Sequence, residues 1–222
     1  MNEAAGSGPT DAREAFASFL LRLRGKGIVA KSLISAFEAT PRHAFVPERW
    51  QSVAWTDGMI PIECGEAIEG PDVQAQIVEA LAIEPGHRVL EVGTGSGFTA
   101  AVMARLAAKV ITVERYKTLA EQARQRFEAL GLTNVSVRHA DGSQGLAAEG
   151  PFDRIVVWAA FDSMPRSFVE QLASNGVMVA PIGPEEGLQT LTRLTKIGSR
   201  FEREDIGAVR LQPIQKSVAA VI

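Results

Sequence analysis

The sequence predicts an α/β protein with a doubly wound, mostly parallel sheet and N-terminal helices packed on it. From Arg88 onward, short apolar segments alternate with segments of helical periodicity, an order typical of right-handed βαβ units. The segment FDRIVVWAA, at residues 152–160, ends in an apolar run, as expected of a strand buried on both faces of a parallel sheet.

The N-terminal region is predicted to be a short tail followed by helices. Residues 1–10 are small and polar, and we expect them to be a disordered tail. Asp11 and Glu14 have the spacing of a capping box, and the helical periodicity that follows ends near Gly25. A second short helix should end before Pro41, because proline disfavours helical geometry in the residue that precedes it.

A third helix, VQAQIVEALAI, leads into the sheet region. Five segments there have the composition of strands: HRVLEV, KVITVER, NVSVRHAD, FDRIVVWAA and GVMVAPIG. The intervening segments KTLAEQARQRFEALG and MPRSFVEQLAS have helical periodicity. The C-terminal segments QTLTRLTKIG, RFEREDIGAVRLQPI and KSVAAVI contain further strand material.

Composition excludes several classes of protein. The formal net charge of −3 and the isoelectric point of about 5.7 argue against a general nucleic-acid-binding surface. Cys64 is the single cysteine, so no internal disulfide can form and a reducing compartment fits. No apolar run approaches the roughly 20 residues of a membrane span, and the N-terminus lacks a signal-peptide pattern. We therefore expect a cytoplasmic protein without nucleic-acid or membrane partners, and we expect a monomer.

The segment LEVGTGSGF predicts a cofactor site between a strand and a helix. Glycines in such a turn allow a ligand to approach the backbone, and the amides of the helix face its polar groups. Glu114 ends the next strand and can accept hydrogen bonds from both hydroxyls of a ribose. Asp141 and Gly142 end the third strand, where an adenine ring could lie. The candidate cofactor residues are Glu91, Gly93, Gly95, Gly97, Glu114, Asp141 and Gly142.

The details of the turn favour S-adenosylmethionine over a dinucleotide. Phe98 occupies the place of the last glycine in the dinucleotide fingerprint, and no P-loop is present. Glu91 would repel a phosphate but suits a ligand with a positive end, such as the amine or sulfonium of S-adenosylmethionine. In the alternative interpretation the glycines only form a tight turn and Glu114 is a solvated surface acid.

From about Gly27 to Pro213 the chain resembles class I S-adenosylmethionine-dependent methyltransferases, and more narrowly the protein-L-isoaspartate O-methyltransferase family. The resemblance rests on ATPRHAFVP, on the glycine turn, on ADGSQG and on PRSFVEQLASNGVMVAPIG. It implies methylation of the α-carboxyl of isoaspartyl residues in damaged proteins, with S-adenosyl-L-methionine as cofactor. We expect residues 11–222 to form a single domain, with the helices and an acceptor loop in 11–87 and the cofactor-binding sheet and C-terminal strands in 88–222.

The acceptor segment departs from the family pattern. The family has Gly-Gln-Thr-Ile-Ser-x-Pro, and this chain has GEAIEGP at residues 65–71. Ala67 therefore replaces the threonine and Glu69 replaces the serine beside the acceptor. The resemblance implies a catalytic position for Glu69 and substrate-binding positions for Ile68 and Arg210.

An ionised Glu69 would repel a carboxylate acceptor. Two like charges about 4 Å apart repel by about 4 kcal/mol at an effective dielectric near 20. Glu69 could be neutral through burial, it could pair with Arg42 or Arg210, or the acceptor could be an amine or a hydroxyl. We interpret the neighbouring acids Glu63, Glu66 and Asp72 as solvent-facing residues of a loop.

Two other functions stay open. A divergent enzyme on this scaffold could methylate an amine or hydroxyl, although the fourth strand ends in VWAA without the Asn/Asp-Pro-Pro-Tyr motif of many nitrogen methyltransferases. A non-catalytic module could bind the cofactor without turnover. No spacing of histidine and cysteine suggests a metal site.

Overall fold

A seven-stranded sheet forms the centre of the protein in a computed structural model, which describes residues 9–219. A two-stranded ribbon precedes the sheet in the chain. In chain order the strands are β1 (Ile60–Pro61), β2 (Ala67–Ile68), β3 (Arg88–Val92), β4 (Lys109–Glu114), β5 (Val135–His139), β6 (Phe152–Val157), β7 (Leu172–Ile182), β8 (Gln189–Ile197) and β9 (Arg200–Val209). The ribbon is β1 paired with β2, and the spatial order in the large sheet is β5-β4-β3-β6-β7-β8-β9.

The chain winds outward in both directions from the middle of the sheet. Strand β3 pairs in parallel with β4 on one side and with β6 on the other, so Val92 lies beside Val113 and Val157. The connections reverse direction between β3 and β6, and a crevice opens at such a point beyond the carboxyl ends of the strands. Strands β8 and β9 add an antiparallel hairpin at one edge. The predicted doubly wound, mostly parallel sheet is confirmed.

The N-terminal helices pack into the same core as the sheet. The helices are α1 (Pro9–Gly25), α2 (Lys31–Glu38), α3 (Pro71–Ala80), α4 (Phe98–Ala104), α5 (Lys117–Ala129) and α6 (Arg166–Glu170). Aromatic rings join them: the Phe19 ring lies 5.4 Å from that of Phe37, which lies 5.8 Å from that of Phe98 at the start of α4. Burial of this apolar surface holds α1 and α2 against the cofactor-turn helix.

The ends of the chain differ from the expectation. Residues 1–8 of the predicted tail lie outside the described residues, and α1 already begins at Pro9, where the fixed φ of proline suits a first helical turn. The predicted capping box at Asp11 therefore falls inside the helix. At the other end, residues 216–219 of the predicted strand KSVAAVI are not a strand.

Two further boundaries also differ. The predicted helix MPRSFVEQLAS is reduced to the five residues of α6, because β7 begins at Leu172 and pairs there with Phe152. Across residues 9–219, none of the helices has the length and apolar character needed to cross a membrane.

Candidate active site

A cleft lies at the carboxyl ends of the central strands, at the point where the winding reverses. We call it the first chamber; its walls come from β3, β4, the segment after β5, the segment after β6 and the C-terminal segment. It is lined by Glu66, Ala67, Val92, Gly93, Gly95, Val113, Glu114, Arg115, Tyr116, Leu119, Gly142, Ser143, Trp158, Ala159, Gln212, Pro213, Ile214 and Gln215. Together with the acceptor segment, which supplies Glu66 and Ala67, six described chain segments converge on one concave site, as expected for a doubly wound sheet.

A smaller second chamber adjoins the first on the side of α4. It is lined by Ala67, Ile68, Glu69, Gln74, Gly93, Thr94, Gly95, Ser96, Phe98, Thr99 and Trp158. Four residues line both chambers: Ala67, Gly93, Gly95 and Trp158. The two chambers therefore meet at the glycine turn, and the acceptor segment borders both of them.

The turn between β3 and α4 needs glycine for two different reasons. Gly93, Gly95 and Gly97 all have positive φ, at 93°, 52° and 89°. Gly93 and Gly95 line the chambers, whereas a Cβ on Gly97 would lie 3.0 Å from the Phe127 ring. The predicted role of Gly97 in the cofactor site is thus one of helix packing, and the other two glycines form the wall itself.

Glu114 lies on the wall of the first chamber, as predicted. Its Oε2 accepts a hydrogen bond of 2.9 Å from the Gly95 amide, and its Oε1 accepts one of 3.0 Å from the Tyr116 amide. Burial raises the pKa of this carboxyl. Each oxygen retains a second lone pair, so the side chain can accept further hydrogen bonds from a ligand.

Gly142 lies on the chamber wall, but the Asp141 side chain does not. Asp141 is exposed, and its two oxygens accept hydrogen bonds from the Ser143 and Ser217 amides at 2.8 and 2.7 Å. A Cβ on Gly142 would lie 2.7 Å from Val92 Cγ1, so only glycine allows this close approach to the strand ends. Asp141 thus holds the C-terminal segment against the chamber, and the prediction that it contacts the cofactor is not supported by its position.

Glu91 lies beneath the turn rather than on a chamber wall, which corrects the expectation that it faces the cofactor. It points to the opposite face of the sheet from Val92, where it accepts hydrogen bonds from Thr99, from Thr112 at 2.7 Å and from the Trp158 indole at 3.0 Å. Burial raises the pKa of Glu91 to about 7 in spite of these donors. Glu91 ties together β3, β4, α4 and Trp158, and it supports the turn from below.

The acceptor segment forms one strand of the small ribbon. Ala67 and Ile68 pair with Pro61 and Ile60, and the buried Ile68 side chain lies against the backbone at Gly95. This pairing aims the next residue, Glu69, at the second chamber. Ile68 and Glu69 therefore lie next to the glycine turn, and their roles toward a substrate stay predictions.

The environment of Glu69 bears on two of the three possibilities, a neutral carboxyl and an ion pair. Burial raises the pKa of the Glu69 carboxyl to about 7, and the Arg42 charge opposes part of this shift. Within residues 12–219 the carboxylate has no cation within ion-pair distance. The geometry thus favours a neutral Glu69 over a direct ion pair.

Arg42 binds the main chain of the acceptor segment. Its guanidinium donates to the Glu69 carbonyl at 2.7 Å, to the Ala54 carbonyl at 2.6 Å and to the side chain of Gln74. Arg42 is wholly buried, and its guanidinium lies 4.5 Å from the centre of the Phe98 ring. Arg210, the other predicted partner and a predicted substrate-binding residue, is exposed and lines neither chamber.

The interpretation of the neighbouring acids as solvent-facing was wrong for Asp72. Asp72 is wholly buried at the start of α3. It forms ion pairs of 2.9 Å with Arg22 of α1 and with Lys26, the residue that follows α1. Glu66 is half-buried and lines the first chamber. Glu63 is also only half-exposed, although it lines neither chamber.

Several lining residues were missed by reasoning from the sequence. Trp158 and Ser96 carried a signal: Trp158 directly follows strand β6 at the same edge of the sheet as Glu114, and Ser96 lies within the glycine turn. The buried Ser96 hydroxyl has no hydrogen-bond partner among the described residues. Gln212 and Gln215 had no signal, because the return of the C-terminal segment to the sheet is a tertiary feature.

Three features define a Rossmann-like class I methyltransferase: the crevice where the winding reverses, the glycine turn after β3, and the buried Glu114 at the end of β4. The family model for protein-L-isoaspartate(D-aspartate) O-methyltransferase (PCMT) matches residues 15–219. The chain therefore belongs to this family.

Curated relatives agree over nearly the whole chain. The protein-L-isoaspartate O-methyltransferase of Rhizobium meliloti (strain 1021) is 46% identical over 202 residues, which are 91% of this chain and 99% of the relative. That of Rhodopseudomonas palustris (strain BisB18) is 45% identical over 201 residues, 90% of this chain and 93% of the relative.

Solved structures show the same fold. One structure, described as a protein-L-isoaspartate O-methyltransferase, is 25% identical with a TM-score of 0.77. The alignment covers 91% of this chain and 67% of the chain in that structure. A putative protein-L-isoaspartate O-methyltransferase from Plasmodium falciparum, crystallised with S-adenosyl-L-homocysteine, is 24% identical with a TM-score of 0.76, over 90% of this chain and 98% of its own.

Proposed function

We propose that this enzyme transfers a methyl group from S-adenosyl-L-methionine to the α-carboxyl of isoaspartyl residues in peptides and proteins. The observation that carries the proposal is the position of Glu69. It replaces the family serine, lies in a chamber beside the glycine turn, and is buried enough to be neutral over part of the physiological pH range.

The lining of the first chamber fits the cofactor. Glu114 offers a buried acceptor for ribose hydroxyls, and Gly142 leaves the wall open where an adenine ring would lie. In the adjoining second chamber, the Ser96 hydroxyl offers a hydrogen-bonding group without a partner among the described residues. When bound, S-adenosylmethionine supplies an electrophilic methyl group.

The acceptor needs positioning rather than a base. A carboxylate is already ionised at neutral pH, so no proton has to be removed before it attacks. Glu69 in its neutral form donates a hydrogen bond to one oxygen of the acceptor and leaves the other oxygen free to attack. Arg42 fixes the main chain of Glu69, so the donor is held in place before the acceptor arrives.

Apolar residues exclude water around the reacting atoms. Ile68 is buried against the glycine turn, and Trp158 borders both chambers. The indole of Trp158 is fixed by its hydrogen bond to Glu91. In a site without water, the attacking carboxylate is bound by protein groups and not by solvent.

The test is methyl transfer from labelled cofactor to an isoaspartyl peptide and to its aspartyl twin. We expect transfer to the isoaspartyl peptide alone. If transfer instead requires an amine or hydroxyl on the acceptor, Glu69 acts as a base and the enzyme is the divergent alternative. Cofactor binding without transfer to any acceptor would support a non-catalytic module.

We also propose that the described helices and sheet act as one domain in a monomeric, cytoplasmic enzyme without nucleic-acid partners. The shared core of α1, α2 and the sheet supports the single domain. The single cysteine and the acidic charge balance support the other features. Gel filtration with light scattering would measure the oligomeric state.

A further inference from the structure

Glu66 is the second acid that this chain places in the family's acceptor segment, at the position where the family has glutamine. It lines the first chamber together with Glu114 and Tyr116, whereas Ala67, the next residue, borders both chambers. With the cofactor in the first chamber and the acceptor beside Glu69 in the second, as proposed above, the methyl group would pass where the chambers meet. Glu66 is thus one residue away from that junction.

The charges that face Glu66 in the first chamber are unbalanced. Among the lining residues, Glu114 is a second acid and Arg115 is the one cation. The Arg115 guanidinium lies 5.1 Å from the centre of the Tyr116 ring and donates a long hydrogen bond of 3.4 Å to the Ser217 carbonyl. It forms no ion pair with Glu66 or Glu114. Within residues 12–219 the negative charge of Glu66 therefore has no cationic partner, and the Tyr116 hydroxyl is its neighbour.

The two forms of the cofactor differ by one unit of charge. The methyl donor carries a sulfonium, an ammonium and a carboxylate, for a net charge of +1. After methyl transfer the sulfonium becomes a neutral thioether and the product carries no net charge. A fixed negative charge near the sulfur therefore attracts the donor more strongly than the product.

We propose that Glu66 makes the first chamber selective for the cationic methyl donor over the neutral product. The inference rests on the proposed function and adds to it a determinant of product release. A unit charge within about 10 Å of the sulfur changes affinity by about tenfold at an effective dielectric near 20. Glutamine at this position would keep the shape of the side chain without the charge.

The experiment compares wild type with Glu66→Gln by calorimetry. Dissociation constants are measured at one pH and ionic strength for S-adenosylmethionine, S-adenosylhomocysteine and the donor analogue that carries an ammonium group in place of the sulfonium. The matched control is Glu63→Gln, which removes an acid from the same segment but does not line the chamber. Thermal unfolding of each variant checks that it is folded.

We expect Glu66→Gln to weaken the two cationic ligands about tenfold and to leave S-adenosylhomocysteine unchanged, while Glu63→Gln changes none of them. An equal loss for all three ligands would overturn the inference, because the role of Glu66 would then be shape or hydrogen bonding. Unchanged affinities would overturn it as well. Failure of wild type to bind any of the ligands would refute the proposed function itself, which is a different outcome.

Discussion

Replacing Glu69 by serine should change the pH dependence of methyl transfer to an isoaspartyl peptide. Serine is the residue that the family has at this position, and it donates a hydrogen bond without a charge. In wild type, productive binding of the acceptor carboxylate requires protonated Glu69, because only the neutral carboxyl can donate a hydrogen bond to it. Activity of wild type should therefore fall as the pH rises through the pKa of Glu69.

The size of the effect follows from the burial of Glu69. With a pKa raised to about 7, the side chain is about 90% neutral at pH 6 and about 10% neutral at pH 8. The ionised form adds nothing, since repulsion of about 4 kcal/mol at 4 Å corresponds to about three decades in affinity. Wild-type kcat/KM should thus fall about tenfold from pH 6 to pH 8.

The assay is transfer of labelled methyl to an isoaspartyl peptide and its aspartyl twin, from pH 5 to 9. Glu69→Ser should be nearly flat and should exceed wild type at pH 8. Glu63→Ser serves as the control. It makes the same change in an acid that lines neither chamber, so its pH profile should match that of wild type. A flat wild-type profile that is indifferent to Glu69→Ser would refute this reasoning about the acceptor pocket.

Three other predictions concern the support of the site. Glu114→Ala should weaken S-adenosylmethionine binding by about 1.5–3 kcal/mol in calorimetry, because a buried acceptor for two hydroxyls is lost; unchanged affinity would remove Glu114 from the cofactor site. Asp72→Asn should lower the free energy of urea unfolding by about 2–3 kcal/mol at pH 7, since Arg22 and Lys26 lose a buried partner. Burial opposes ionisation of Asp72, but the hydrogen bonds from Arg22 and Lys26 prevail and lower its pKa. The contribution of Asp72 to the free energy of unfolding is therefore complete above its pKa in the unfolded chain and is lost as the pH falls through its pKa in the folded protein. The difference between Asp72→Asn and wild type should therefore shrink in acid, and a constant difference would contradict the ion-pair account. Glu91→Ala should cost about 2–4 kcal/mol in the same assay, because three buried donors lose their acceptor; a neutral effect would show that Glu91 does not support the turn.

Local patterns predicted the fold because each of them has a local cause. The alternation of apolar and helical segments from Arg88 onward predicts right-handed crossover connections, and these build a parallel sheet covered by helices. The same reasoning placed Gly93, Gly95 and Glu114 on one edge, since parallel strands bring their carboxyl ends together. These predictions needed no knowledge of distant parts of the chain.

The parts of the site that the sequence did not reveal depend on long-range contacts. Asp72 has the appearance of a loop acid until α1 folds against α3 and brings Arg22 and Lys26 to it. The inward position of Glu91 depends on strand alternation: its neighbour Val92 faces the chamber and Glu91 faces the opposite side. Gln212 reaches the chamber only because the C-terminal segment returns to the sheet beside Ala160.

The two acids of the acceptor segment have different environments, although they are only three residues apart. Glu69 lies at a wall formed by Phe98, Trp158 and the glycine turn, where burial favours its neutral form. Glu66 is half-buried beside Tyr116 in the first chamber, where its carboxylate faces the cofactor site. One residue type can thus supply a neutral donor for the anionic acceptor at Glu69 and a charge for the cationic methyl donor at Glu66, since burial raises the pKa of Glu69. The two roles are separable: loss of the Glu66 charge should change donor selectivity without moving the pH profile, and loss of the Glu69 carboxyl should move the profile without changing the preference for a cationic ligand. If both substitutions altered both properties, the two acids would share one network, and the division of the site into two chambers with distinct electrostatic roles would be wrong.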